Sequence, residues 1–201
     1  MNIGMIGAAT VGETLAAAFI QAGHDVVLSN RRGPGSLASL IHKLGSKAKA
    51  GTLEQAAACP IVVLAIPWFN VASALPALPK WEGRVLIDAT NTFLHYFPDF
   101  RVADLGEDSG SEIVARLAPD AKVIKAFNTL PIAGFFLDAP AGYRRVAFLA
   151  GDDAQAKALV NGLIESIGLA PMDLGALASG GRLMQLGGIF NGVELLKARD
   201  R

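Results

Sequence analysis

Cysteine is nearly absent. Cys59 stands alone among 201 residues, so no disulfide can form within the chain, and the sequence suits a reducing, cytoplasmic compartment. Cys59 adjoins Pro60 at the entry to an apolar run, where a packed thiol is expected. Net charge is absent too: 18 basic and 18 acidic residues cancel, which argues against a broad nucleic-acid face. No apolar stretch reaches membrane-spanning length, so no membrane partner is expected. The N-terminus lacks the basic start and cleavable apolar segment of a signal peptide. His24, His42 and His95 are scattered without metal-ligand spacing, and no Ser-His-Asp set stands in motif context. No metal ligand and no catalytic side chain is therefore assigned. Beyond the alternation of strands and helices there is no internal repeat and no low-complexity segment.

What is present is apolar: 52% of the residues are hydrophobic, enough for one substantial core and a small appendage. The chain is organised around Met1–Arg32. The apolar run Ile3–Ile6 has strand length and leads into Gly7-Ala8-Ala9-Thr10-Val11-Gly12, a G-x-G-x-x-G loop with alanine at the middle glycine. Val11, Leu15, Ala18, Phe19 and Ala22 recur at helical spacing, and Gly23 stops that helix. A second strand, Asp25–Leu28, ends in Ser29-Asn30-Arg31-Arg32. Strand, glycine loop, helix and strand form the context in which such a loop binds a dinucleotide pyrophosphate on the helix N-terminus. A tight turn without ligand would leave Thr10 and Glu13 only a capping box, and capping by Thr10 is compatible with either reading.

The end of the second strand selects the cofactor. An acid there would bond the ribose hydroxyl of NAD, and this chain has none. Ser29, Asn30, Arg31 and Arg32 suit a 2′-phosphate, so NADP(H) is expected.

The remaining pattern continues the alternation. Ser36 is expected to cap a helix with Leu37, Leu40, Ile41 and Leu44 inward; Lys47–Ala50 is a short strand, and Thr52–Ala58 a short helix. Ile61–Ile66 is apolar on both faces, as in a central parallel strand, and ends in Pro67-Trp68. A helix with Val71, Ala74, Leu75 and Leu78 follows, interrupted by Pro76. Val85–Ile87 is a strand ending at Asp88–Asn91, residues 92–110 a long loop or lid, and Ser111 the cap of the next helix. Lys122–Phe127 is the sixth strand. Arg145–Ala150, then a helix over Asp153–Ile167 with Leu159, Leu163, Ile164 and Ile167 inward, then Leu169–Asp173 extend the pattern. The fold class is α/β: a Rossmann-type doubly wound parallel sheet over residues 1–140, with a small C-terminal α/β extension over 141–201.

Ligands of such sheets lie at the carboxyl ends of the strands. Small and amide side chains there, Ala126 and Asn128 among them, are positioned for the nicotinamide and its ribose. Asp88 and Lys125 at these ends are candidates for a catalytic role, but a hydrogen-bonded strand-end acid and a solvated lysine are the expected readings. In the tail, Gly180, Gly181, Gly187, Gly188 and Gly192 interrupt a helical period, each at about 1 kcal/mol in a helix interior. Close approach to a ligand, to another helix or to a twin segment would offset that cost, and a kinked terminal segment is the alternative. A homodimer through residues around Leu183–Leu196, also walling an acceptor pocket, is the expectation.

The ordered set GAATVG, SNRRGP, AIPW, DATN and KAFNTLP resembles the coenzyme F420-dependent NADP oxidoreductase family, with the NADP-binding part of the STEAP metalloreductases a more distant relative. The resemblance covers nearly the whole chain. It implies a Rossmann domain, often dimeric, and hydride exchange between NADPH and a small-molecule acceptor, a deazaflavin (F420) or a flavin. Gly7, Ala8, Ala9, Thr10 and Val11 match the family's pyrophosphate loop. Asn30 and Arg31 match its 2′-phosphate pair, with Ser29 and Arg32 alongside. Ile66, Pro67 and Trp68 match the loop near the nicotinamide half. Some members carry Thr or Ser at the position of Ala8, and no deazaflavin-contact motif can be placed residue by residue. Direct hydride transfer needs orientation and exclusion of water rather than an acid–base pair. The other readings are reduction of a different small substrate, such as an imine or oxo acid, and an NADP(H)-binding regulatory protein without turnover.

Overall fold

The apolar runs become strands buried on both faces, and the helices between them cover both sides. The computed structural model describes residues 1–95 and 99–199. The first half runs β1 (Asn2–Ile6), α1 (Thr10–Gln21), β2 (Asp25–Ser29), α2 (Ala38–Leu44), β3 (Ala48–Ala50) and α3 (Leu53–Ala57). It continues through β4 (Ile61–Leu64), α4 (Val71–Ala74), β5 (Val85–Asp88), β6 (Phe93–His95), β7 (Arg101–Val102), α5 (Gly110–Leu117) and β8 (Lys122–Ala126). The last part holds α6 (Ile132–Phe135), β9 (Tyr143–Gly151), α7 (Ala154–Ser166), β10 (Ala170–Asp173), α8 (Leu177–Met184) and β11 (Leu196–Ala198).

The main sheet has the order β10-β9-β8-β5-β4-β1-β2-β3, with β11 also on β9. From β3 to β8 all neighbours are parallel. The strand order reverses at β1, which lies between β2 and β4, and this is the crevice where a doubly wound sheet binds its ligand. The C-terminal extension enters the same sheet but in the opposite direction: β9 is antiparallel to β8, and β10 is parallel to β9. The sheet is thus mostly, rather than wholly, parallel. An apolar run such as Val146–Ala150 is equally suited to either direction, so its composition carries no polarity.

Alternation along each strand divides the core. Ile3, Met5, Val63 and Ile87 pack with Leu15 and Phe19 of α1 and Val160 and Leu163 of α7 on one face. Ile6, Val62, Leu64 and Leu86 pack with Ala56 of α3, Val71 of α4 and Val114 of α5 on the other. Each fully buried Leu, Ile or Phe contributes about 1.5–3 kcal/mol. Leu159 is 39% exposed and the inward position is Val160, one residue out of the expected phase.

Three caps differ from expectation. Ser36 lies in a short 3-10 turn and its hydroxyl sits 3.1 Å from Asn30 Oδ1 and 2.8 Å from the Gly33 carbonyl, so it shapes that turn instead of capping α2. The cap of α5 is Ser109, in a reciprocal box with Glu112; Ser111 is buried two residues further in. α1 has no side-chain cap at all. Within the 92–110 segment, β6 and β7 form an antiparallel pair rather than a plain loop, and residues 96–98 lie outside the described residues.

The tail glycines have an explanation within one chain. α8 lies against α5 and β9, and a Cβ on Gly180 would come within 2.6 Å of the Leu174 carbonyl and 2.8 Å of Ala150 Cβ. A Cβ on Gly188 would meet the Arg182 carbonyl at 2.3 Å. The helix ends at Met184, and the rest of the expected helical period is turns and β11. A twin segment is not needed to account for these residues. No described helix is long and apolar enough to cross a membrane.

Candidate functional site

The groove begins at the end of β1. Gly7 has φ +108°, and a Cβ there would lie 2.2 Å from the Ala65 carbonyl. A Cβ on Gly12 would lie 2.0 Å from the Gly7 carbonyl, so only glycine lets α1 start so close to the strand. The N-cap is Ala9, exposed and in extended conformation, with Thr10 the first helical residue. The Thr10–Glu13 capping box is not formed; the Glu13 carboxylate pairs with Lys43 at 2.6 Å. The first amides of a helix have no intrahelical acceptor, and the N-cap Ala9 has no side-chain acceptor to take them. Gly7, Ala8 and Ala9 line the first cleft, of about 570 Å³, while Ala9, Thr10 and Val11 line a second of about 440 Å³. The two clefts share Ala9, Ala65, Ile66 and Pro67 and form one groove over the β1–β4 reversal.

At the end of β2 the four expected residues divide into two roles. Ser29 is fully buried and its hydroxyl donates to the Met5 carbonyl at 2.9 Å, tying β2 to β1; it does not reach the cleft. Its assignment beside the 2′-phosphate pair is corrected accordingly. Asn30 lines the cleft, yet its Oδ1 accepts from the Arg32 amide at 2.9 Å and its Nδ2 lies 3.0 Å from Ser36 Oγ, so its side chain holds the turn. Arg31 and Arg32 both line the cleft, are exposed, and have no ion-pair partner among the described residues. Two unpaired guanidinium groups across the groove from an open helix N-terminus fit a phosphorylated dinucleotide.

At the other end, Ile66 and Pro67 line both clefts, whereas Trp68 faces the second core cluster, with its ring edge 3.6 Å from where Gly110 would carry a Cβ. Trp68, Ala126 and Asn128 do not line either cleft. Ala126 is fully buried in the core under β8, and Asn128 is 2% exposed. Sequence reasoning missed Phe93, Leu130 and Ile132, which close the second cleft. The signal was Pro131 directly after the β8 end, where a turn must fold back over the strand ends.

Among the described residues, none that lines the second cleft is ionisable. Asp88 and Lys125 lie beneath it as an ion pair at 3.1 Å, with side chains 0% and 3% exposed. The expected solvated lysine is therefore the reverse, a buried one. Burial pulls the Lys125 ammonium below its usual range, and the Asp88 carboxylate opposes that pull. At the end of β8, Phe127 has φ +62°, a conformation that costs about 1–3 kcal/mol outside glycine and persists where packing imposes it. Its ring stands edge-on to Phe19 and Phe135, at 6.3 and 6.2 Å between centroids.

Residues 2–92 match the family described as NADP oxidoreductase coenzyme F420-dependent. The chain is similar to a hypothetical protein of Sinorhizobium meliloti, at 39% identity and a TM-score of 0.90, over 98% of this chain and 96% of that one. It is also similar to a protein of Arthrobacter sp. FB24 assigned as an F420-dependent NADP-reductase, at 27% identity and a TM-score of 0.73, over 88% of this chain and 86% of that one. Metalloreductase STEAP3 of Rattus norvegicus is 29% identical over 180 residues, 89% of this chain and 34% of its own length. The chain thus spans about a third of the length of the curated relatives it matches. The matched region, just under half of the chain, contains the glycine loop, the basic turn and the ends of β4 and β5, and through these residues the chain is similar to the NADP oxidoreductases of that family, on a Rossmann-type fold.

Proposed function

We propose that this oxidoreductase exchanges hydride between NADPH and a deazaflavin or flavin-like ring. The observation that carries the reading is the second cleft, whose described lining residues are apolar apart from Thr10, Thr90 and Asn91 and include no ionisable side chain. A ring that holds an incoming electron pair by delocalisation needs no protein acid, whereas reduction of a carbonyl or imine calls for a proton donor. The open amides from Ala9 to Gly12 hold the pyrophosphate, and Gly7, Ala8 and Ala9 keep the backbone bare enough for it to approach. Arg31 and Arg32 hold the 2′-phosphate on the turn that Asn30 shapes. Ile66 and Pro67 orient the nicotinamide half and exclude water, and Asn128 holds Asn91 at the lining of the same cleft. When bound, NADPH supplies the hydride.

The C-terminal portion, residues 141–201, completes the acceptor pocket. This is supported by the Gly192 amide, which donates to the Thr129 carbonyl at 2.7 Å, and by Asn128 Nδ2, which donates to the Met184 carbonyl at 2.9 Å. Ile189, 69% exposed beside these contacts, supports a homodimer through the Leu183–Leu196 segment. The experiment is oxidation of NADPH followed by absorbance, with F420, FMN or a ferric chelate as acceptor. Turnover with a ring acceptor is expected. Tight NADPH binding without turnover of any of the three would make the chain a binding or regulatory protein instead.

A further inference from the structure

We infer that Asp88 and Lys125 are positioning residues, which set the nicotinamide end of the groove through Thr90 and Asn91; the inference rests on placing the nicotinamide in the second cleft. The two residues are direct partners in the β5–β8 register, so their side chains leave the same face of the sheet at its carboxyl edge. A buried ion pair is, as a rule, no more stabilising than a well-packed apolar pair of the same size. The bonds of this pair indicate what else it does. Asp88 Oδ1 accepts from the Thr90 amide at 2.9 Å and from the Thr90 hydroxyl at 2.6 Å. Lys125 Nζ donates to the Thr90 carbonyl at 2.5 Å. Every polar group of Thr90 is thus held by the pair. The other carboxylate oxygen accepts from Ser111 Oγ at 2.6 Å, which fixes the pair to α5.

Thr90 lines the second cleft, and so does Asn91, which follows it. Asn91 Nδ2 donates to the Asn128 carbonyl at 3.1 Å, and Asn128 Nδ2 donates to Asn91 Oδ1 at 3.3 Å. Asn128 Nδ2 also donates to Met184 at the end of α8, and its Oδ1 is buried without a partner among the described residues. An unpaired carbonyl in the interior is a cost, tolerated here by a side chain whose two donors join the β5 end, the β8 end and the tail. Asp88 and Lys125 do not line the cleft, so they act through Thr90 and not as proton donors.

Thr90→Val keeps the shape and removes the hydroxyl bond, Lys125→Met removes the ammonium, and Thr90→Ser is the conservative control. 2′,5′-ADP, which lacks the nicotinamide, should bind all three within about twofold of the unmodified protein. In Thr90→Val and Lys125→Met, the emission of bound NADPH should fall toward that of free NADPH. With an acceptor that the unmodified protein turns over, kcat should drop by about tenfold to a hundredfold with KM little changed. Thr90→Ser should keep both signals. Unaltered emission and kcat in folded Thr90→Val would overturn the inference. So would an equal loss of 2′,5′-ADP and NADPH binding, which would mean that the pair only maintains the fold. If Lys125→Met does not fold, Thr90→Val decides. If the unmodified protein turns over no acceptor, the reductase reading fails, while the emission comparison still decides the positioning role.

Discussion

Asp88→Ala should cost the fold about 3–5 kcal/mol, the range found when one member of a buried ion pair is removed. The reason lies in what each partner would have left. Without Asp88, the Lys125 ammonium keeps the Thr90 carbonyl as its one acceptor among the described residues, in a place with almost no solvent contact. Without Lys125, the Asp88 carboxylate still accepts from Thr90 twice and from Ser111. Lys125→Met should therefore cost less, about 1–3 kcal/mol. The pH dependence has a definite sign. Burial already pulls Lys125 below the ordinary 10.5, and removing Asp88 takes away the group that opposes this. Between its folded value and 10.5 the unfolded chain binds more protons, so stability rises with pH in that window. Urea unfolding of Asp88→Ala at neutral pH and near the upper end of that window should show the deficit shrinking. A deficit that stays constant or grows would mean that the lysine is not confined as described.

Arg31→Ala should weaken NADPH binding roughly tenfold to a hundredfold and leave NADH nearly unaffected. Arg31 and Arg32 have no ion-pair partner among the described residues, so replacing either should leave stability within about 0.5 kcal/mol, as for ordinary surface sites. Because both are exposed, the preference for NADPH should narrow as salt is raised. Asn30→Ala should act differently. It frees the Arg32 amide and Ser36 from their turn, and so misplaces the arginines without removing a charge. Equal losses for the two nucleotides in Arg31→Ala would place the 2′-phosphate elsewhere.

The sequence made the central strands readable because Ile61–Leu64 and Val85–Ile87 are apolar on both faces, a pattern that fits a covered parallel strand better than an exposed one. The glycine loop was readable because Gly7 and Gly12 answer local steric needs. Features that depend on distant partners were not. Ser29 looked like a ligand group because a strand-end hydroxyl gives no local sign that it will turn back to Met5. Lys125 looked solvated because its partner is 37 residues away and meets it only through the sheet register. The tail glycines suggested a second subunit because Leu174, Ala150 and the Arg182 carbonyl, the groups that exclude a side chain, are brought close only by the fold. Ser111 looked like the cap of α5, but its hydroxyl donates to Asp88, which the sequence does not place beside it, and Ser109 caps the helix instead.

In the proposed arrangement the groove from Ala9 to Pro67 holds NADP(H), with its 2′-phosphate on Arg31 and Arg32. The most direct test is fluorescence titration of the unmodified protein with NADPH and with NADH at low ionic strength. NADPH should bind at least about tenfold more tightly, the contribution of one charge-assisted contact. Equal affinities, or a preference for NADH, would contradict it.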